Sequence, residues 1–186
     1  MSKNKAAEKF EVRLSGSGGQ GLILAGIILA KAAVYDRKRV TQSQSYGPES
    51  RGGASRADVI ISGGEIYYPE ATKFDLLLAL TQEACDKFIF DLREDGILVV
   101  DNSIVKNVSL LSSKIYELPF TEIALEKLGS ALPTNILSLG FLVKISGIVT
   151  EASLKRALEE SVKSSYLDLN IKAVKLGFDL AKKYKQ

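Results

Sequence analysis

The strongest constraint on the fold is a glycine-rich turn that joins an apolar strand to an apolar helix. The turn is the run Leu14-Ser15-Gly16-Ser17-Gly18-Gly19-Gln20-Gly21. Before it, Phe10, Val12 and Leu14 alternate with polar residues, which is the period of a strand. After it, residues 20–35 are apolar around nearly the whole circumference, which predicts a helix buried against a sheet. A strand, a glycine turn and a helix N-terminus together form a potential site for a phosphate or for another backbone.

The rest of the chain alternates between short apolar runs and amphipathic stretches, a pattern typical of an α/β protein. The run Leu76–Leu80 is continuously apolar, as expected of a parallel strand covered on both faces. Gly63-Gly64 predicts a hairpin turn into a strand over Glu65–Tyr68. The other predicted strands are 39–42, 54–62, 96–100 and 114–118, and the later helices are 82–92, 120–129, 134–147, 151–163 and 167–184. We therefore predict a mostly parallel sheet sandwiched by helices, with a Rossmann-like start, a helical C-terminal third and a single domain over residues 1–186.

The composition argues against several classes of function. The net charge is only +3 and the basic residues form no stripe, so we expect no nucleic-acid partner. The chain has one cysteine, Cys85, and no histidine, so we expect neither a self-contained iron–sulfur cluster nor a metal site. Cys85 is expected to be a small packing residue. The segment Met1–Lys9 is too polar for a secretory signal and no apolar run is long enough to span a bilayer, so we expect a cytoplasmic location.

The glycine turn allows three interpretations. Gly16, Gly18 and Gly21 satisfy the G-x-G-x-x-G spacing of NAD- and FAD-binding folds. That interpretation needs a carboxylate at the end of the second strand, whereas Asp36 precedes that strand, which itself ends without one. Alternatively, the glycines only permit a tight turn and close helix–strand packing. In the third interpretation, the N–H groups of the turn hold an anion or meet a partner subunit, and Gln20 adds a side-chain amide.

A second glycine-rich segment, Gln42–Arg56, favours the third interpretation. Because it leaves the carboxyl end of a strand, we expect it beside the glycine turn, where open sheets bind ligands. Arginine is suited to bidentate contact with phosphate or carboxylate. The alternative is a Glu49–Arg51 pair that orders a solvated loop. The candidate site residues of this segment are Tyr46, Gly47, Pro48, Glu49, Arg51, Gly52 and Gly53.

Together, the two motifs resemble those of the gamma subunits of 2-oxoacid:ferredoxin oxidoreductases. The resemblance extends to the helix at Pro133-Thr134-Asn135, and the form Gln-Ser-Tyr-Gly-Pro-Glu-Ser-Arg-Gly-Gly is most similar to the 2-oxoglutarate branch. It implies a multisubunit enzyme that decarboxylates a 2-oxoacid on thiamine diphosphate, reduces ferredoxin through iron–sulfur clusters and transfers the acyl group to coenzyme A. A pyruvate- or branched-chain-specific member, a scaffold subunit without ligand contact and a stand-alone NAD- or FAD-binding protein remain the alternatives.

The resemblance also implies that the cofactors are bound by other subunits of the enzyme. Thiamine diphosphate, magnesium and the clusters are expected on alpha, beta and delta-type partner subunits, since the sequence has no Gly-Asp-Gly motif. We expect this chain to hold no catalytic residue or metal and to pack on its partners while contacting coenzyme A. Arg51 is the expected phosphate ligand, Glu49 its orienting partner and Tyr46 a wall of the site. The other candidates are Gly16, Gly18, Gly19, Gln20, Gly21 and Asn135. At the start of its helix, Thr134 or Asn135 is most simply a helix cap.

Overall fold

A six-stranded sheet forms the centre of the chain in the computed structural model, which describes residues 9–45, 54–68, 70–109 and 114–184. The strands are β1 (Lys9–Ser17), β2 (Arg39–Ser45), β3 (Ala54–Ser62), β4 (Phe74–Ala79), β5 (Leu92–Asp101) and β6 (Lys114–Leu118). The helices are α1 (Leu22–Tyr35), α2 (Gln82–Phe88), α3 (Phe120–Leu128), α4 (Thr134–Ser146), α5 (Glu151–Ser161) and α6 (Ser164–Lys182). The strand order across the sheet is β2-β3-β1-β4-β5-β6.

Among the described strands, only β3 runs against the others. The strands β1, β4, β5 and β6 pair in parallel, while β3 pairs antiparallel with both β1 and β2. The predicted mostly parallel sheet is therefore confirmed, and the chain begins with the predicted unit of strand, glycine turn and helix. The difference from a simple Rossmann unit is that β3 lies between β1 and β2. The carboxyl ends of β1 and β2 and the start of β3 consequently meet at one edge.

Helices cover both faces of the sheet, as the predicted sandwich requires. On one face, α1 and α4–α6 share a large core with the strands, including the fully buried residues Leu14, Ile28 and Leu78. On the other face, α2 contributes to a smaller core with β4 and β5. No helix within the described ranges is both long and apolar enough to cross a membrane.

The predicted strand over Glu65–Tyr68 is wrong. The described backbone there is irregular. The physical reason is that β3 is already paired on both sides, by β1 and by β2, so it has no free edge for a hairpin partner. The antiparallel partner next to β3 in the chain is β2, and the connection between them is the second glycine-rich segment. The strand before this segment was predicted to end at residue 42, but Ser43–Ser45 continue β2 because they pair with β3.

Other element ends differ from prediction for local reasons. Helix α1 begins at Leu22, because Gly21 before it has a left-handed backbone with φ 70°. Helix α2 ends at Phe88 and a single 3-10 turn, Ile89–Asp91, leads into β5. Strand β5 begins earlier than predicted, and its pairing with β4 shifts register before Ile97. Elsewhere the predicted elements lie within a few residues of the observed ones.

The single cysteine is a packing residue, as predicted. Cys85 lies in α2 with no exposed surface, within the smaller core. Burial, together with the nearby charges of Asp86 and Glu117, raises the pKa of its thiol to about 11. The thiol therefore stays protonated at neutral pH, which makes it a poor nucleophile and a poor metal ligand.

Candidate functional site

The glycine turn follows the carboxyl end of β1. It is packed against other elements at Gly16 and Gly21 and open at Gly18 and Gly19. A Cβ atom on Gly16 would lie 3.1 Å from Cδ1 of Leu22 and 3.2 Å from Cβ of Leu80, so this glycine permits close packing. At Gly18 and Gly19, no described residue other than the chain neighbours lies within 4 Å of the position that a Cβ would take. As far as the described residues show, the tip of the turn is open to a ligand or another chain.

Gln20 stabilises the turn from within. Its side-chain oxygen Oε1 accepts a hydrogen bond of 2.8 Å from the backbone N–H of Ser17. The backbone N–H of Gln20 in turn donates to the carbonyl of Ser17. Gln20 is half-buried and lines a cavity on each side of the turn. Its position is compatible with the predicted amide contact to an anion, which remains a prediction.

Asn135 fastens the turn to α4. Its buried side chain donates a hydrogen bond of 2.9 Å from Nδ2 to the carbonyl oxygen of Gly21. A Cβ atom on Gly21 would lie 2.5 Å from that same Nδ2, so only glycine fits there without a shift. The expected cap role for Asn135 is wrong, because α4 begins after Pro133 without a side-chain cap. Asn135 instead positions the glycine turn across the fold.

The second glycine-rich segment leaves and re-enters the sheet beside the turn. In the β1–β3 pairing Ser17 lies opposite Ala54, and in the β2–β3 pairing Ser45 lies opposite Arg56. The two ends of the segment are therefore at the edge that carries the glycine turn, as the sequence predicted. The candidate residues within it, Tyr46, Gly47, Pro48, Glu49, Arg51, Gly52 and Gly53, lie outside the described residues.

Described residues line two cavities that flank the turn, and neither was predicted from the sequence. One of about 430 Å³ lies between the turn and the starts of α4 and α6, and contains Lys163 and Tyr166. The other, of about 320 Å³, lies toward β4 and α3, and none of the described residues that line it is charged. Gly19, Gln20 and Leu132 line both cavities and form the ridge between them. Leu132 is an exposed apolar residue that directly precedes Pro133. This pair is the feature of the sequence that could have indicated the ridge.

Asp36, the carboxylate considered for a dinucleotide site, is engaged elsewhere. Its side chain accepts hydrogen bonds from the backbone N–H and the hydroxyl of Thr150, at 2.6 and 2.8 Å, and from the Ser153 hydroxyl. Burial on its own would raise the pKa of Asp36, but the hydrogen bonds from Ser153 and Thr150 outweigh it and lower the pKa. Asp36 follows α1, whose 14 residues separate it from the glycine turn by about 21 Å. The turn therefore has no ribose-binding carboxylate from this residue.

The sequence of this chain matches a known protein family over most of its length. Residues 11–180 match the model of the family described as pyruvate ferredoxin/flavodoxin oxidoreductase. This chain belongs to that family. The resemblance predicted from the two glycine-rich motifs is thereby confirmed.

Individual members of the family match along their whole length. Subunit KorC of 2-oxoglutarate synthase from Methanocaldococcus jannaschii is 41% identical over 185 residues, which cover 98% of this chain and 99% of that subunit. The crystal structure of a keto/oxoacid ferredoxin oxidoreductase gamma subunit from Geobacter sulfurreducens is 43% identical, with a TM-score of 0.88 over 97% of this chain and 100% of that one.

A longer solved chain shares the fold. It belongs to the 2-oxoglutarate:ferredoxin oxidoreductase from Magnetococcus marinus, a structure with 2-oxoglutarate, coenzyme A and succinyl-CoA bound. The match has a TM-score of 0.85 and 23% identity, and covers 95% of this chain but 31% of that chain. At this identity the likeness concerns the fold alone.

Proposed function

We propose that this chain is the gamma subunit of a 2-oxoglutarate:ferredoxin oxidoreductase. The enzyme would convert 2-oxoglutarate and coenzyme A to succinyl-CoA and carbon dioxide, with the electrons passing to ferredoxin. The observation that carries the proposal is the end-to-end likeness to a 2-oxoglutarate synthase subunit at 41% identity. The sequence of the second glycine-rich motif, which is most similar to that of the 2-oxoglutarate branch, supports the same substrate.

The chemistry of oxidation and decarboxylation belongs, in this proposal, to alpha, beta and delta-type sister subunits. A ferredoxin-reducing enzyme needs iron–sulfur clusters, each held by about four thiolates. This chain offers only Cys85, a buried thiol with a raised pKa. Thiamine diphosphate, magnesium and the clusters are therefore assigned to the partners. The role left to this chain is to pack on them and to contact coenzyme A.

The edge that carries the glycine turn is the proposed working surface. The open tip at Gly18 and Gly19 admits close approach, and the segment 46–53 begins and ends beside it. Exposed apolar side chains at Leu132 and Ile104 lie on the neighbouring ridge and cavity. Together with Leu80 and Ala131, they form an apolar part of the lining of the smaller cavity. Arg51 remains the proposed phosphate ligand.

The assembly is tested by isolating the tagged chain from its native cells. We expect partner chains, thiamine diphosphate and iron to co-purify with it, and we expect ferredoxin reduction with 2-oxoglutarate to exceed that with pyruvate or 2-oxoisovalerate. A complex that prefers another 2-oxoacid would overturn the substrate assignment only. Recovery of the chain alone, free of thiamine and iron, would overturn the proposal as a whole.

The contact with coenzyme A is tested at Arg51. In the assembled enzyme, Arg51→Ala should raise the KM for coenzyme A by about tenfold or more, because a charge-assisted hydrogen bond contributes about 1.5–3 kcal/mol. The thiamine content and the KM for 2-oxoglutarate should not change. Arg39→Ala is the matched control, since Arg39 is an exposed arginine at the opposite end of β2. Unchanged kinetics for coenzyme A would leave this surface with a packing role only.

A further inference from the structure

The end strand β2 has an outer edge that lacks the usual protection. No described strand bonds to that edge, because β2 is the last strand on its side of the sheet. Edge strands expose unpaired N–H and C=O groups, and lysine, proline or a bulge commonly keeps other strands away from them. Strand β2 has seven residues without lysine or proline, a charge only at Arg39 where it begins, and unbroken pairing with β3. The opposite end strand, β6, has five residues and carries Lys114 and Glu117. The edge of β2 is therefore suited to accept another strand.

Helix α1, which packs on this end of the sheet, has an exposed apolar stripe. The stripe consists of Ile23, Ile27, Ala30 and Val34. Ile27 and Val34 are 36% and 55% exposed, and the other two are half-buried. At about 100° per residue, the four lie within about 60° of one another, on the opposite side of the helix from the fully buried Ala25 and Ala32. The spacing of four, three and four residues is typical of side chains that pack between two helices.

The stripe and the free edge of β2 lie side by side. A Cβ atom on Gly26 would lie 2.8 Å from Cβ of Ala57 in β3 and 3.8 Å from Nε2 of Gln42 in β2. Helix α1 therefore crosses the sheet over the boundary between these two strands. A different side of α1 meets α5, where Nζ of Lys31 donates a hydrogen bond of 2.9 Å to Ser161. Because the stripe is opposite the residues that face the core, it points outward past β2.

We infer that the outer edge of β2 and the apolar stripe of α1 form one interface with a second copy of this chain. The β2 strands of the two copies pair antiparallel about a two-fold axis at Gln42, so that their sheets join into one. Thr41 then lies opposite the partner's Ser43, and Arg39 lies opposite the partner's Ser45. No like charges face each other in this pairing. The inference does not depend on the substrate assignment or on the proposed contact with coenzyme A.

The same two-fold axis brings the two α1 stripes together. Neighbouring strands are about 4.8 Å apart, so a helix over the boundary of β2 and β3 lies about 5 Å from the axis and about 10 Å from its copy. That distance is typical of packed helices. The stripe is centred between residues 28 and 29, which is within about 4 Å along the helix from Gly26, the residue beside Gln42. Ile27 then packs on the partner's Ala30. Because one axis satisfies both the strand and the helix, the partner is assigned as a second copy of this chain.

The mass of the full chain in solution, measured by sedimentation equilibrium, tests the interface. We expect the parent chain to be a dimer. Ile27→Lys/Val34→Lys should halve the mass, because the dimer would bury two unpaired charges from each copy. Both side chains are exposed, so the circular dichroism spectrum of this variant should not change. Leu125→Lys, which alters an exposed leucine of α3, is the matched control and should stay dimeric.

Disulfide cross-linking tests the register of the two β2 strands. Directly opposite residues of an antiparallel pair have Cα atoms about 4.5–5.5 Å apart, which a disulfide can span. Diagonal neighbours are about 7–8 Å apart, which is too far. Under mild oxidation, Thr41→Cys/Ser43→Cys should therefore form a covalent dimer, both as the isolated chain and in the assembled oxidoreductase. Thr41→Cys alone and Ser43→Cys alone should not, and the native Cys85 is buried and does not compete.

Three kinds of result would overturn the inference. A monomeric parent chain, without cross-linking of the double-cysteine variant, would remove the interface. A dimer that survives Ile27→Lys/Val34→Lys, or that cross-links equally well through a single cysteine, would place the contact elsewhere or in another register. Cross-linking of the isolated chain but not of the assembled enzyme would mean that a sister subunit covers β2 there. In each case the proposed substrate and the proposed contact with coenzyme A would stand.

Discussion

Gly177→Ala is expected to destabilise the fold by about 3 kcal/mol, even though alanine is the better helix former by about 1 kcal/mol. Gly177 lies in α6, where that helix meets the backbone of α4. A Cβ atom at this position would press on the Leu137 carbonyl oxygen and lie 2.7 Å from the Phe141 nitrogen. Backbone atoms cannot rotate away, so the two helices must separate. For a chain of this size, the midpoint of thermal unfolding should fall by about 6–12 °C.

Calorimetry or chemical denaturation measures this effect, and Gly129→Ala supplies a control. Gly129 has a left-handed backbone, with φ 71°, but no described residue lies within 4 Å of its Cβ position. In that variant the free energy of unfolding should fall by only about 1–2 kcal/mol, which is the strain of an alanine in a left-handed backbone. A Gly177→Ala chain as stable as the parent would show that α4 and α6 are not in backbone contact.

Local sequence patterns predicted the central strands because those strands are covered on both faces. Strand β4 contains the buried apolar run Leu76–Ala79, and β3 contains the buried apolar run Val59–Ile61. The strand over Glu65–Tyr68 failed for a non-local reason, since both edges of β3 are taken by strands distant from this segment. A period in the sequence indicates that a strand forms but not which strand lies beside it.

The candidate site was predictable only in part for the same reason. The glycine turn and the second motif are each contiguous in sequence, and the parallel strands bring their ends to one edge. The cavities combine residues that lie far apart in the chain, such as Gly21, Pro133 and Lys163. The role of Asn135 was predicted wrongly, because a polar residue at a helix start usually caps that helix. Its actual partner, the Gly21 carbonyl, lies 114 residues away in sequence.

Asp58→Ala is expected to destabilise the chain by about 3–5 kcal/mol, because it would leave a buried guanidinium unpaired. Arg13 and Asp58 lie directly opposite each other in β1 and β3. Their side chains form two hydrogen bonds of 2.7 and 2.6 Å, and they are 2% and 5% exposed. The guanidinium also lies 3.9 Å from the centre of the Phe74 ring and 4.6 Å from that of Phe88. Without Asp58, water has little access to that charge.

The double variant Arg13→Met/Asp58→Leu tests whether the unpaired guanidinium causes this loss of stability. The free energy of unfolding is measured with denaturant for the parent chain, Asp58→Ala and the double variant. Removing both charges removes the unpaired group, so we expect it to recover most of the stability lost in Asp58→Ala. Glu65→Ala, which breaks the exposed 3.7 Å pair with Arg39, should change the stability little. A double variant as unstable as the single one would instead mean that the ion pair itself holds β1 against β3. In that case the pair would fix the register that sets Ser17 opposite Ala54, and with it the alignment of the two glycine-rich motifs.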